Sequence, residues 1–380
     1  LLQSKMQAQI AAWVEGCAEW PSLAKSIANK WLEEGLQDRS ITRDLSWGIP
    51  VLKDGQPRPG FEKKVFYVWF DAPIEYIGST QEWAEATGGN WERWWRTDKG
   101  AADVTYIEFM GKDNVAFHAV NFPVTLMGSG EPWKLVDRLK SFNWVTWYGG
   151  KFSTSEKRGV FMDQALDILP ADYWRWYLMA NAPESSDAAF TWEQFQTTIN
   201  SDLANILGNF VNRITRFTAS RFESKVPQFT ALGEAEKKLF AELAERLPHL
   251  TQMHEQMEYR KAAAETRALW VAGNEYITAA APWTLFKTDP VAAANAVNIS
   301  LNLCVFFAEI ALPLMPNVAE KILAGFGLTA KDAKWPEGDP AVLLQRLKPG
   351  QPIMPPDVLF QKIEDEWIAE QVARFGGGKS

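Results

Sequence analysis

Val65-Phe66-Tyr67-Val68-Trp69-Phe70, followed at once by Asp71-Ala72-Pro73, constrains this chain more than any other stretch. An apolar, aromatic and β-branched run of this length reads as a fully buried strand. The proline ends it, because its ring fixes φ and donates nothing to a sheet ladder. Ile74, Tyr76 and Ile77 then open a new element, with Gly78-Ser79-Thr80 behind them. A strand halting in small and polar residues is how an open α/β sheet presents a crevice at its carboxyl edge. Trp69 and Tyr76 would flank such a crevice, and a plain core strand fits the same run.

Two further segments share the pattern. Val104–Met110 is a second strand candidate, broken by Gly111-Lys112-Asp113-Asn114, and a helix begins at Val115-Ala116-Phe117-His118 and runs towards Leu126. There Asp113 either accepts hydrogen bonds from ribose hydroxyls or caps the helix. His118 either lines the crevice or is a structural histidine. Phe142–Tyr148 is the third strand candidate, followed by Gly149-Gly150 and by Lys151-Phe152-Ser153-Thr154-Ser155-Glu156-Lys157-Arg158-Gly159. The glycines leave the backbone mobile, and the hydroxyls and cations suit a loop closing over phosphates, or a solvated loop.

The rest is helical. Met6, Ile10, Trp13 and Val14 recur at helical spacing, as do Ile27, Trp31 and Leu32, with Gly35 as a C-cap. From Pro170 onward helices dominate. Leu203, Ile206, Leu207, Phe210 and Ile214 share one face of a long helix, while Asn205, Asn209 and Arg213, four apart, share another. Aligned amides and a guanidinium can read base edges; a wet helix surface is the bland reading. Trp283 after Pro282 offers either a platform for an unpaired base or inter-helix packing. Residues 233–330 read as a helical bundle, and Gly376-Gly377-Gly378 as a flexible end.

Length and composition bound the answer. A chain of 380 residues holds two or three domains, and 47% hydrophobic with 23% charged residues is ordinary for a globular protein. The 19 tryptophans imply large aromatic cavities or much aromatic packing. Two cysteines, Cys17 and Cys304, make neither a disulfide framework nor a zinc site, which fits a reducing cytosol. A net charge of −8 argues against non-specific nucleic-acid coating but leaves room for a local RNA-binding patch. No apolar run reaches membrane-spanning length and no secretory signal is present. The chain opens on Leu1-Leu2-Gln3 within a helical pattern, as part of a longer protein would.

These pieces in this order resemble the methionyl-tRNA synthetase family of class I aminoacyl-tRNA synthetases, from about Ile41 to Met315. The resemblance rests on Ile41-Thr42-Arg43-Asp44, on Tyr67 to Tyr76, on Gly111-Lys112-Asp113 through Phe117-His118, and on Lys151-Phe152-Ser153-Thr154-Ser155. Asn205, Asn209, Arg213 and Pro282-Trp283 match positions where the family reads the methionine anticodon. It implies an α/β plus all-α fold: the second half of a Rossmann-type parallel-sheet catalytic domain, then an α-helical bundle anticodon-binding domain. Residues 1–45 would be the tail of a connective insertion, 46–150 the second catalytic half, 151–195 the signature loop and stem-contact region, and 196–380 the anticodon-binding domain with its extension.

The resemblance further implies that Trp69, Ala72, Pro73, Tyr76, Asn114, Phe117 and His118 form a methionine pocket. A thioether, almost without hydrogen-bonding capacity, is best recognised by aromatic edges and shape. Arg43, Gly111, Asp113, Val145 and Lys151 would serve ATP. Lys151, Ser153, Ser155, Lys157 and Arg158 would be catalytic, with Mg²⁺ on the phosphates and no zinc. The implied partners are L-methionine, tRNA(Met) and the missing N-terminal half of the same cytoplasmic enzyme, with neither membrane nor DNA. Two departures stand out. Thr154 occupies the place of the loop's usual second lysine, so Lys151, or Lys157 and Arg158, would compensate. The histidines are His118, His249 and His254, and none sits in the family's histidine-rich signature. The chain is therefore expected to be a fragment that does not activate methionine unaided. The competing readings are a non-catalytic tRNA-binding module and a sibling class I synthetase for leucine, isoleucine or valine.

Overall fold

The structure, a computed structural model, describes residues 1–376, so Gly377 and Gly378 of the expected flexible end lie outside the described residues. The backbone divides into two compact units: Leu1–Trp144 with Pro183–Ser186, and Val145–Ala182 with the chain from Asp187 onward.

In the first unit, the helices Gln7–Gly16 and Ser22–Glu33 bury Ile10, Val14, Ala24 and Ala28 against Val115, Ala119, Val120, Val124 and Leu139. Gly35, just past the second helix, adopts φ 82°, the left-handed conformation that ends helices. The expected second strand forms as Ile107–Gly111, paired in parallel with Arg138–Phe142 so that Ile107 faces Arg138. The helix Phe122–Gly128 lies in the crossover between them, the connection a parallel pair requires.

Two strand expectations need correction. Only Val65 and Phe66 of the apolar run are extended, antiparallel to Thr42–Arg43. The Phe70 N–H donates to Tyr67 O at 2.8 Å, and Val68–Asp71 turns into a helix that continues through Ala72–Ile74 into Glu75–Thr87. Short apolar runs do not distinguish strand from helix, and Pro73 is tolerated because it sits in the first turns, where its missing N–H is not needed. Val65 alone of the six is buried, and Trp69 is 41% exposed. The third strand is likewise not continuous over 142–148. The Asn143 N–H is drawn to Pro183 O at 2.8 Å, which separates Arg138–Phe142 from Val145–Trp147.

The second unit pairs Val145–Trp147 in parallel with Ala188–Phe190 and is otherwise helical. The predicted apolar face holds: Leu203, Leu207, Phe210 and Ile214 are fully buried. They join Trp176, Trp192, Phe195, Trp270 and Phe307 in one core, and the Trp176 and Trp270 rings lie 4.7 Å apart. The helix Pro290–Ala311 corrects the expectation about apolar length, since its 22 residues are long and apolar enough to cross a membrane. It is nevertheless the inner helix of the bundle, buried at nearly every position from Ala293 to Ala311. Its buried Asn302 accepts from the Leu347 N–H at 2.9 Å, so its polar groups are matched to protein rather than to lipid.

Candidate functional sites

A hollow of about 200 Å³ opens in the first unit, lined by Leu1, Gln3, Arg39 to Ile41, Arg43, Tyr67, Trp69, Phe70, Pro73, Phe117, Asn121, Phe122 and Thr125. The turn at Phe70 is what brings Trp69 and Pro73 to it. The Trp69 and Phe117 rings stack at 4.8 Å with 22° between their planes, an offset arrangement that aromatic quadrupoles favour. Three of the predicted pocket residues, Trp69, Pro73 and Phe117, therefore converge on one space. Tyr76, His118, Ala72 and Asn114 are not among the lining residues. Tyr76 and His118 form a pair behind the wall: the Tyr76 hydroxyl meets His118 Nε2 at 2.9 Å, and the Tyr76 ring lies edge-on to Phe122 at 6.2 Å. His118 Nδ1 lies 3.0 Å from the Asn114 carbonyl; a carbonyl can only accept, so Nδ1 carries a hydrogen. Asn114 contributes through its backbone, and Ala72 sits in the turn leading to the helix.

Arg43 stands exposed at this hollow, its guanidinium 3.9 Å from the Tyr67 ring centre and bonded to the Ser40 and Thr42 carbonyls. The cation–π contact fixes the direction of a charge that remains open to an anion. Gly111 has a visible purpose: a Cβ there would lie 2.8 Å from Asp113 Oδ1, so only glycine lets that carboxylate fold back. Asp113 is exposed in the short turn Lys112–Asn114, and the N-cap position of the following helix falls to Ala116 with no side-chain cap bond, so Asp113 is not its cap.

Sequence reasoning missed several wall residues. Asn121 and Thr125 follow Phe117 by four and eight positions, a helical stripe that could have been read. Gln3, whose side-chain amide donates to Asn121 Oδ1 in a buried contact, carried no local signal because its partner lies 118 residues away. Glu108, buried on the strand Ile107–Gly111, also escaped notice; its carboxyl accepts from the Tyr106 hydroxyl. Burial raises its pKa above the ordinary glutamate value, making it a weaker acid. Burial likewise raises Tyr106 and Tyr76, with the nearby Glu108 carboxyl adding to both.

In the second unit, Val145 opens the strand leading to the basic loop. The two glycines after it are not loose. Trp147 and Gly150 exchange both backbone hydrogen bonds at 2.8 Å across Tyr148 and Gly149, whose φ values are 48° and 82°, the tight turn that positive φ at both central positions allows. Ser153 and Arg158 then exchange backbone bonds at 3.1 and 2.8 Å around a turn in which Lys157 has φ 50°. Ser153 Oγ lies 3.3 Å from Ser155 Oγ and accepts from the Glu156 N–H. The Arg158 guanidinium pairs with Glu156 at 3.0 Å and rests where a Cβ on Gly150 would be 2.9 Å from it. Lys151 and Lys157 are exposed.

The three polar positions of the long helix divide. Asn205 and Asn209 are exposed and line a groove of about 360 Å³ with Asn212, the segment Pro356 to Phe360 and Lys362. Arg213 instead places its guanidinium 4.5 Å from the centre of the Trp283 ring. Asn209 and Arg213 lie four apart in the regular helix Asn209–Arg221, whereas Asn205 lies in the preceding wide-turned stretch Ile199–Gly208. Trp283 is half-buried rather than exposed, edge-on to Phe217 at 6.4 Å, and Pro282 is buried. Among the described residues no group of three His, Cys, Asp or Glu is placed to hold a metal ion.

Comparison with known proteins agrees with the resemblance. Residues 1–215 match the family model for tRNA synthetases class I (M), and residues 226–380 match that for the anticodon binding domain of methionyl tRNA ligase. The methionine–tRNA ligase of Maricaulis maris (strain MCS10) is 64% identical over 99% of this chain and 66% of its own length. That of Hyphomonas neptunium (strain ATCC 15444) is 63% identical, over 100% of this chain and 66% of its length. The chain thus spans about two thirds of the relatives it matches. A structure of Mycobacterium tuberculosis methionyl-tRNA synthetase in complex with methionyl-adenylate, 24% identical, superposes with a TM-score of 0.81 over 94% of this chain and 67% of that one, a likeness of fold. A class I synthetase domain followed by a helical anticodon-binding domain is what the sequence led us to expect, and the chain belongs to the methionine type of the class I tRNA synthetase family.

Proposed function

We propose that this chain carries the amino-acid pocket and the anticodon-reading domain of a cytoplasmic enzyme that joins L-methionine to its tRNA through methionyl-adenylate, consuming ATP as its Mg²⁺ complex. The observation that carries the reading is the hollow walled by the stacked Trp69 and Phe117 rings with Pro73 beside them. A thioether side chain gains from such polarizable, shape-defining walls and needs few polar partners. Ala72, Asn114, Tyr76 and His118 support the pocket from behind. Arg43, Gly111 and Asp113 serve the nucleotide, Asp113 as acceptor for ribose hydroxyls. Val145 leads to the loop in which Lys151, Ser153, Ser155, Lys157 and Arg158 would hold the triphosphate while the methionine carboxylate attacks the α-phosphorus and pyrophosphate leaves. Such catalysis is positioning and charge stabilisation. Asn205, Asn209, Arg213, Pro282 and Trp283 would read the anticodon. The division into 1–45, 46–150, 151–195 and 196–380 describes these tasks in order.

The nucleotide-binding histidine signature does not occur in these residues, and we infer that adenylate formation requires further chain. Methionine-dependent ATP–pyrophosphate exchange is the test: activity in the full-length gene product and none in these residues alone is expected. Exchange by these residues alone would overturn the inference, and exchange specific for another amino acid would overturn the function. Thr154 brings no charge, so Lys157→Ala with Arg158→Ala in the full-length protein should slow exchange at least tenfold with methionine KM little changed.

A further inference from the structure

The helix Asn209–Arg221 carries Arg213, Arg216 and Arg221 and no aspartate or glutamate. That is a local excess of positive charge in a chain whose net charge is −8. Like charges a turn apart repel along a helix, so Arg213 and Arg216 do not support it. Arg213 and Arg221 each have a local reason to be there. The Arg213 guanidinium lies 4.5 Å from the Trp283 ring centre. Arg221 closes the last turn, where the helix dipole favours a cation, and lies 5.7 Å from the Phe286 ring centre. Arg216 has neither reason. It is exposed, stands more than one turn before the helix end, and enters no ion pair among the described residues. Its Nε donates to Asn212 Oδ1 at 2.9 Å, which uses one guanidinium donor and leaves both terminal nitrogens open. Asn212 lines the groove with Asn205 and Asn209, so this bond holds the guanidinium at the groove's margin, one turn past the amides. The other wall supplies one acid and one base, Asp357 and Lys362, so the excess charge belongs to the helix.

We propose that Arg216 grips a backbone phosphate of a single RNA strand whose bases enter this groove. A planar guanidinium with open terminal N–H groups matches two phosphate oxygens at once. Such a contact fixes register and orientation without reading sequence, so Asn205 and Asn209 meet the same bases each time the strand docks. Asn212 acts through Arg216: it aims the cation and does not read a base. The strand is unpaired, because base edges are open to side-chain amides only where RNA is single-stranded. Which RNA it is rests on the anticodon reading; the phosphate contact itself does not.

The test is the salt dependence of tRNA binding by the full-length gene product. The probes are a tRNA with the methionine anticodon and the same tRNA with that anticodon replaced. Arg216→Gln removes the charge while keeping a donor for Asn212. It should lower the steepness of log affinity against log salt by about 0.7, the value for one phosphate of a single strand. Both tRNAs should weaken by the same factor, about fourfold at about 0.15 M salt by the same relation. Arg216→Lys, which keeps the charge, should restore the steepness. Asn209→Ala should instead weaken only the matching tRNA and leave the steepness unchanged. Unchanged steepness in a folded Arg216→Gln variant overturns the proposal. A loss confined to the matching tRNA also overturns it, since Arg216 would then be a base reader. Wild-type protein that holds both tRNAs equally would remove the anticodon reading, while the steepness still decides the phosphate contact.

Discussion

The two candidate sites are built in opposite ways. The hollow of the first unit is assembled from short pieces: a two-residue strand, a turn at Trp69 and a helix entry at Phe117. Of its aromatic wall, Trp69 remains partly open at 41% exposed, whereas Phe122 is buried. The anticodon-type surface of the second unit stands on long helices whose other faces are sealed in a core of fully buried Trp176, Trp192, Trp270, Phe195 and Phe210. Rings thus stay partly open at the hollow, while buried rings fill the interior of the second unit and, with Trp20 and Trp95, that of the first.

The largest expected effect tests that contrast. Trp270→Ala should cost about 3–5 kcal/mol, the cost of deleting a fully buried large side chain. Trp69→Ala, half open to solvent, should cost less than about 1 kcal/mol, as surface substitutions do. Guanidinium unfolding of the two variants checks this, and equal losses would break the comparison.

A second test concerns polar burial in the first unit. Burial raises the Glu108 pKa above its ordinary 4.5, so the folded state holds that proton more tightly than the unfolded chain. The benefit is complete below the unfolded value and is lost as pH rises through the folded one. Glu108→Gln should therefore match the parent protein near pH 4 and gain on it steadily above pH 4.5, measured by urea unfolding across that range. A difference independent of pH would show that the carboxyl does not ionise at cost.

The smallest effect falls on the second unit's surface. Arg213→Ala should lower stability by only about 0.5–1 kcal/mol through the lost contact with Trp283. Asn209→Ala, exposed on the groove, should change stability hardly at all. Both should weaken tRNA binding, compared by filter retention. If Asn209→Ala unfolds the bundle more than Arg213→Ala does, the groove is structural.

Legibility followed the length of the repeating pattern. Leu203, Leu207, Phe210 and Ile214 announced their buried face because a long helix repeats its signal several times. Val65–Phe70 misled because six apolar residues satisfy strand and helix equally, and because the strand partner found, Thr42–Arg43, pairs with only two of them. The turn glycines Gly149 and Gly150 were visible as glycines, but whether they loosen or tighten the chain depends on the reciprocal bonds between Trp147 and Gly150. Trp283 could be read as a platform or as packing, and its neighbours Phe217 and Arg213 make it partly both.

By itself the sequence determined the order of elements, the helical character of the second unit and the residue types able to meet a thioether, a phosphate or a base, since these are properties of composition and local spacing. Only the tertiary structure decided that Trp69 turns away from a strand to meet Phe117, that Gln3 reaches Asn121, and that the Tyr76 hydroxyl meets His118. Those contacts join residues far apart in the chain, and local pattern carries no information about which distant partner will satisfy a buried polar group.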